Sequence, residues 1–212
     1  MPPAKSHAWL ITNHAPTQIV SGYDSITGDI IAVDKGLEKV HLLRLSPALI
    51  IGDLDSLDPN ILRLYPDVPL VRHQSEKNET DTELAITWCI RQNYQNIVIC
   101  NDMQGRFDHS AAIVQNLIAA HKQGIDIRVE SERQSFFFLN PETSISAQAG
   151  DLLSLISYSK ESHFTGSTAL KYPLTDLILH QHQSRGISNV LLAEQSEIQL
   201  KSGLVLAIVT KV

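Results

Sequence analysis

Cysteine is nearly absent from this chain of 212 residues, which carries only Cys89 and Cys100. Neither belongs to a CxxC pair or a Cys/His cluster, so the usual zinc and thiol-redox motifs are excluded. Cys89 falls in a helical pattern and Cys100 ends an apolar run, and both are expected as buried thiols without a disulfide. A basic excess is missing as well. The 17 Lys and Arg are outnumbered by 23 Asp and Glu, for a formal net charge of −6. Nothing in that balance offsets repulsion from a nucleic-acid backbone, although a small anionic nucleotide is admissible if a metal ion or a few fixed cations accompany it. The N-terminus has no apolar signal core, and no apolar run reaches membrane-spanning length. A cytoplasmic protein without membrane or nucleic-acid partners is therefore expected.

What the chain does have is an ordinary globular balance, 43% hydrophobic and 19% charged, enough for a real core. Up to residue 130, short apolar runs alternate with helical patterns. Candidate strands are 8–12, 30–33, 49–51, 69–72, 96–100 and 125–129, mostly continuous and apolar as in a parallel sheet buried on both faces. One helix is expected from Thr80, where Thr80 and Glu83 have capping-box spacing, and another after Asp108. Alternation of this kind implies an α/β domain with a doubly wound, mostly parallel sheet. Beyond residue 130 helical periodicity fades, and short runs at 135–139, 152–156, 176–179, 190–193 and 204–209 are separated by turn-prone residues. A C-terminal all-β sandwich or barrel is expected there.

Three candidate strands run into chemically informative residues: Asp34-Lys35-Gly36, Gly52-Asp53-Leu54-Asp55-Ser56, and Asn101-Asp102 followed by Gly105-Arg106-Phe107-Asp108-His109. Ligands of open parallel sheets bind beyond the carboxyl ends of the strands, so these acids can converge although distant in sequence. Asp53 and Asp55, two residues apart on a turn, repel each other unless a divalent cation lies between them, and an all-oxygen donor set suits Mg²⁺. As a lone motif, the same pair more often marks a solvated turn in which Asp55 or Ser56 caps a helix near Pro59. In Lys77-Asn78-Glu79-Thr80-Asp81 a cation precedes a helix N-terminus, whose free N–H groups can receive phosphate oxygens. Arg106 offers a planar fork for phosphate, or alternatively a surface salt bridge. Several carboxylates, a lysine and an arginine at one sheet edge point to metal-assisted phosphoryl chemistry.

Taken in order, these four motifs resemble those of the thiamine pyrophosphokinase family. Leu170-Lys171-Tyr172-Pro173-Leu174 and Ser184-Arg185-Gly186-Ile187-Ser188-Asn189 resemble its bacterial form. The resemblance implies an α/β catalytic domain over residues 1–130 that binds ATP and Mg²⁺. It implies a β-sandwich over 131–212 for thiamine binding and dimerisation, and a homodimer with active sites at the subunit interface. ATP would pass its pyrophosphoryl group to the hydroxyethyl oxygen of thiamine and leave as AMP. By position, Asp53, Asp55 and Asp81 would be catalytic and hold the metal. Asp34, Lys77, Thr80, Arg106 and Asp108 would bind ATP and its phosphates, and Ser188 and Asn189 the substrate. Lys35 stands where the family often has glycine, and Asn78 where many members have aspartate. The rival readings are a pyrophosphokinase for another alcohol such as a hydroxymethyl pterin, a hydrolase, and a non-catalytic thiamine sensor. His180-Gln181-His182 has the same-face spacing of a strand, but no third metal ligand is visible beside it in the sequence.

Overall fold

The computed structural model describes residues 5–74 and 78–212, and the chain divides into two units, 1–132 and 133–212.

In the first unit the apolar runs become six strands: β1 (Lys5–Ile11), β2 (Asp29–Val33), β3 (Leu49–Gly52), β4 (Leu70–Arg72), β5 (Tyr94–Cys100) and β6 (Asp126–Glu130). All their pairings are parallel, in the order β6-β5-β1-β2-β3-β4. Among the described residues four α-helices lie between them: α1 (Gly36–Leu42), α2 (Pro59–Leu62), α3 (Asp81–Arg91) and α4 (Phe107–His121). Successive strand residues point to opposite faces, and both faces are covered. On one, Leu37 and Val40 of α1 pack with Trp9, Ile11, Ile30, Ala32, Ile50 and Val98. The intervening Ala8, Leu10, Ile31, Ile97 and Ile99 are equally buried, and α3 packs over β5, β3, β2 and β1. This is the doubly wound sheet. Its direction reverses at β1, whose chain continues to β2 on one side while β5, on the other side, continues through α4 to β6.

The second unit is a sandwich. Strands β7 (Gln134–Phe138), β8 (Glu142–Ser146), β9 (Leu152–Ser157), β10 (Glu161–Ser167), β11 (Ile178–His180), β12 (Asn189–Val190), β13 (Gln195–Ser202) and β14 (Val205–Thr210) pair antiparallel. One sheet has the order β12-β9-β14-β7 and the other β11-β10-β13-β8. Leu153, Leu155, Val205, Ala207 and Val209 of the first meet Ile145, Phe164, Leu179, Ile198 and Leu200 of the second in one core. Cys89 and Cys100 are buried thiols that form no disulfide. No described helix is long and apolar enough to cross a membrane.

Candidate active site

The chain leaves β2 through Asp34, a non-glycine residue with φ +48°, a conformation that Asp and Asn tolerate best among L residues. The bend is fixed from both ends. The Asp34 N–H donates to the Ile51 carbonyl (2.7 Å), and its carboxylate accepts from the Leu54 N–H and the Ser56 hydroxyl (3.1 Å each). Two glycines make the close approach possible. A Cβ on Gly52 would sit 2.9 Å from the Asp34 Cα, and one on Gly36 would overlap the Ile11 carbonyl oxygen. Lys35 has ordinary right-handed backbone as the residue before α1, so Gly36, not position 35, makes the tight contact with β1.

This geometry draws three carboxylates together. One oxygen from each of Asp34, Asp53 and Asp81 lies within 4.8 Å of the others. Asp81 is the first residue of α3, where the helix dipole favours a negative charge. Asp53 accepts from the Asp55 N–H (3.0 Å) in a tight turn. Three like charges this close repel by about 1 kcal/mol per pair in water and several-fold more at a protein surface, unless a cation lies among them. The donors are all hard oxygens and partly exposed, a set suited to Mg²⁺. Asp55 is exposed and lies outside the trio. The helix near Pro59 is capped not by Asp55 or Ser56 but by Asp58, which accepts from the Asn60 N–H.

Asp34 and Asp81 also border a crevice of about 290 Å³ at the reversal point of the sheet. Its walls come from Thr12, Asn13 and His14 after β1, Asn101 and Gln104 after β5, and the first turns of α3 and α4. Exposed Thr80 caps α3 by accepting from the Glu83 N–H (3.1 Å). The start of α3 therefore opens toward the crevice with the positive end of its dipole. Sequence reasoning passed over the clamp across the crevice floor. Buried Asn101 donates to the Thr12 hydroxyl (2.9 Å) and accepts from the Met103 N–H (2.8 Å), while the Thr12 hydroxyl donates to the Cys100 carbonyl (2.9 Å). The available signal was positional: both are the residues that follow the two strands at which the sheet reverses.

Other expected residues are placed differently. Lys77 lies outside the described residues. Arg106 directs its fork at Asp108, Nε to Oδ1 at 3.2 Å and Nη2 to Oδ2 at 2.6 Å, with both side chains largely exposed. The Arg106 hydrogen bonds hold the Asp108 carboxyl below the usual carboxylate range, and Arg106 is raised in turn. In the second unit exposed Ser188 adopts φ +58°, and its N–H donates to the Ser154 hydroxyl (3.0 Å). Asn189 is buried. Its amide bridges both backbone groups of Tyr172 (2.9 and 2.7 Å) and accepts from the Val190 N–H (2.9 Å). It acts as a pin for the Lys171–Pro173 turn.

A doubly wound parallel sheet followed by a β-sandwich defines an architectural class shared with solved structures. A family model described as "Thiamin pyrophosphokinase, catalytic domain" matches residues 26–129, and one described as "Thiamin pyrophosphokinase, vitamin B1 binding domain" matches residues 141–205. The chain is 27% identical over 183 residues to the thiamine pyrophosphokinase of Bacillus subtilis, covering 84% of this chain and 85% of that protein. The crystal structure of thiamine pyrophosphokinase from Bacillus subtilis aligns with a TM-score of 0.85 at 25% identity, over 98% of this chain and 99% of that one. A thiamin pyrophosphokinase family structure from Enterococcus faecalis aligns with a TM-score of 0.85 at 21% identity, over 97% and 99%. The chain belongs to the thiamin pyrophosphokinase family and is an enzyme of that family.

Proposed function

We propose that this enzyme transfers the pyrophosphoryl group of ATP to the hydroxyl of thiamine, giving thiamine diphosphate and AMP, with Mg²⁺ as the required ion. The observation that carries the reading is the Asp34/Asp53/Asp81 trio, two of whose members, Asp34 and Asp81, border a crevice at the point where the sheet reverses, in a chain matched by both family models. Asp34, Asp53 and Asp81 would hold Mg²⁺, which when bound offsets charge on the phosphate oxygens. Asp55 is retained as a catalytic candidate acting from outside the trio.

The chain's own residues then do positioning work, the main requirement of an in-line displacement at phosphorus. The first N–H groups of α3, capped by Thr80, receive phosphate oxygens. Lys77, just ahead of that helix in sequence, neutralises phosphate charge. Arg106 exchanges Asp108 for phosphate, which its exposed, solvent-screened pairing permits. The first unit is the ATP-binding catalytic domain, and the second binds thiamine, with Ser188 at the substrate and Asn189 holding the 171–173 turn beside it. The working form is a homodimer, and the reaction runs in the cytoplasm, consistent with two buried thiols outside any disulfide.

The test is to incubate purified protein with Mg·ATP, with and without thiamine, and to separate the products. AMP and thiamine diphosphate are expected together and only with thiamine. Thiamine-independent ADP or phosphate would instead identify a hydrolase, and thiamine binding without turnover a sensor.

A further inference from the structure

Strand pairing in the second unit brings His180 and His182 the ligands that the sequence hides. On β10, Ser162 and Phe164 are buried while Glu161 and His163 alternate with them onto the outer face. The β10–β11 register sets His180 directly opposite Glu161 and His163 opposite Ile178. The Glu161 carboxylate already spans two imidazoles, with Oε1 3.5 Å from His180 Nδ1 and Oε2 3.4 Å from His163 Nε2. The His182 ring stands 5.6 Å from that of His180, tilted by 34°. Three imidazoles and one carboxylate thus gather on one solvent-accessible face, from positions 161 to 182.

We propose that Glu161, His163, His180 and His182 form a second metal site, distinct from the carboxylate trio, for a borderline transition-metal ion such as Zn²⁺, Ni²⁺ or Co²⁺. Imidazole nitrogen is the preferred donor for such ions, whereas Mg²⁺ is left to all-oxygen sites. The β10–β11 ladder fixes the Cα positions of Glu161, His163 and His180, and binding draws their side chains together with that of His182, just past the end of β11. Nitrogens that now face one carboxylate from either side move in to metal–nitrogen distances of about 2.0–2.1 Å. Each strand keeps its inner anchor, Phe164 on β10 and Leu179 on β11, in the sandwich core. The ion would tie the three-residue edge strand β11 to β10, at the start of the segment that leads to Ser188. None of this depends on the reaction proposed above.

The test uses tag-free, full-length protein in saturating Mg²⁺, titrated with Co²⁺ by visible absorption and with Zn²⁺ and Ni²⁺ by calorimetry. One saturable equivalent is expected, with the intense d–d bands of nitrogen-ligated Co²⁺. The double variant His163→Ala/His180→Ala should weaken it by at least about 10²-fold, and the near-isosteric Glu161→Gln should weaken it while leaving the melting profile unchanged. Asp53→Asn/Asp81→Asn should leave it intact. Unaltered binding in the histidine variant, loss only in the aspartate variant, or no saturable binding to the wild type would each overturn the proposal.

Discussion

Asp34→Asn separates charge from structure at the candidate centre. Asn is the best substitute at φ +48° because, like Asp, it tolerates left-handed backbone. Its amide oxygen can still accept from the Leu54 N–H, and its NH₂ can donate to Ser56, whose hydroxyl rotates to accept. Stability should change by no more than about 1 kcal/mol, the net contribution of one exchanged hydrogen bond. Catalysis should fall much further. Removing one electrostatic contact to developing charge typically lowers turnover by about 10²–10³-fold, or roughly 2.7–4 kcal/mol of barrier. The half-saturating Mg²⁺ concentration should rise in parallel. Asp34→Ala removes both acceptors and the left-handed preference, and should add about 2–4 kcal/mol of destabilisation. Urea melts and steady-state kinetics at varied Mg²⁺ measure both quantities on the same preparations. Near-normal turnover and Mg²⁺ dependence in a folded Asp34→Asn protein would refute the place of Asp34 in the trio.

Other perturbations read different parts of the molecule. Gly36→Ala forces a Cβ against the Ile11 carbonyl and within 3.0 Å of the Thr12 carbonyl carbon. The urea midpoint should drop by the equivalent of about 1–3 kcal/mol, as for other overpacked sites, and an unchanged midpoint would contradict the β1–α1 contact. Burial holds His121 below its usual pKa, with Asp126 opposing. The unfolded chain therefore binds the proton more readily, and stability should fall as pH drops from the ordinary histidine value toward the lowered one. His121→Gln should flatten that slope in urea melts between pH 8 and 5. Burial, reinforced by Glu130, pushes the Cys100 thiol far up, and Cys89 is equally enclosed. Both should resist a thiol reagent in the native protein and titrate as two in urea, whereas fast native labelling would contradict their burial.

The sheet of the first unit was legible because both of its faces are buried, which leaves short continuous apolar runs. All six candidate strands form, and Thr80 caps α3 as its spacing implied. The second unit was only half legible, and most of what was missed lies in one of its two sheets. The runs that became β7, β9, β12 and β14 belong to one sheet; in the other only β11 was anticipated, by the run 176–179, whereas its neighbours β10, β13 and β8 went unrecognised. Their outer faces are polar, and two of their inward positions are Ser162 and Ser196, both fully buried. Serine at a core position hides the two-residue period, and Ser162 is accommodated by a 2.7 Å hydrogen bond to Ser157. At the candidate site, the acids and their convergence were legible, but the exchange of Asp55 for Asp34 in the trio was not. Asp34 joins Asp53 and Asp81 because a non-glycine residue adopts positive φ and its carboxylate docks on the β3 loop. The third and fourth ligands beside His180 and His182 were equally hidden, since only the β10–β11 register brings Glu161 and His163 to them.

The most direct measurement follows the phosphorus atoms. With thiamine and Mg²⁺ present, ATP labelled at the γ-phosphate should pass its label to thiamine diphosphate, and ATP labelled at the α-phosphate should yield labelled AMP. Label from the γ-position in thiamine monophosphate with ADP as co-product, or in free phosphate, would show that this enzyme does not transfer pyrophosphate.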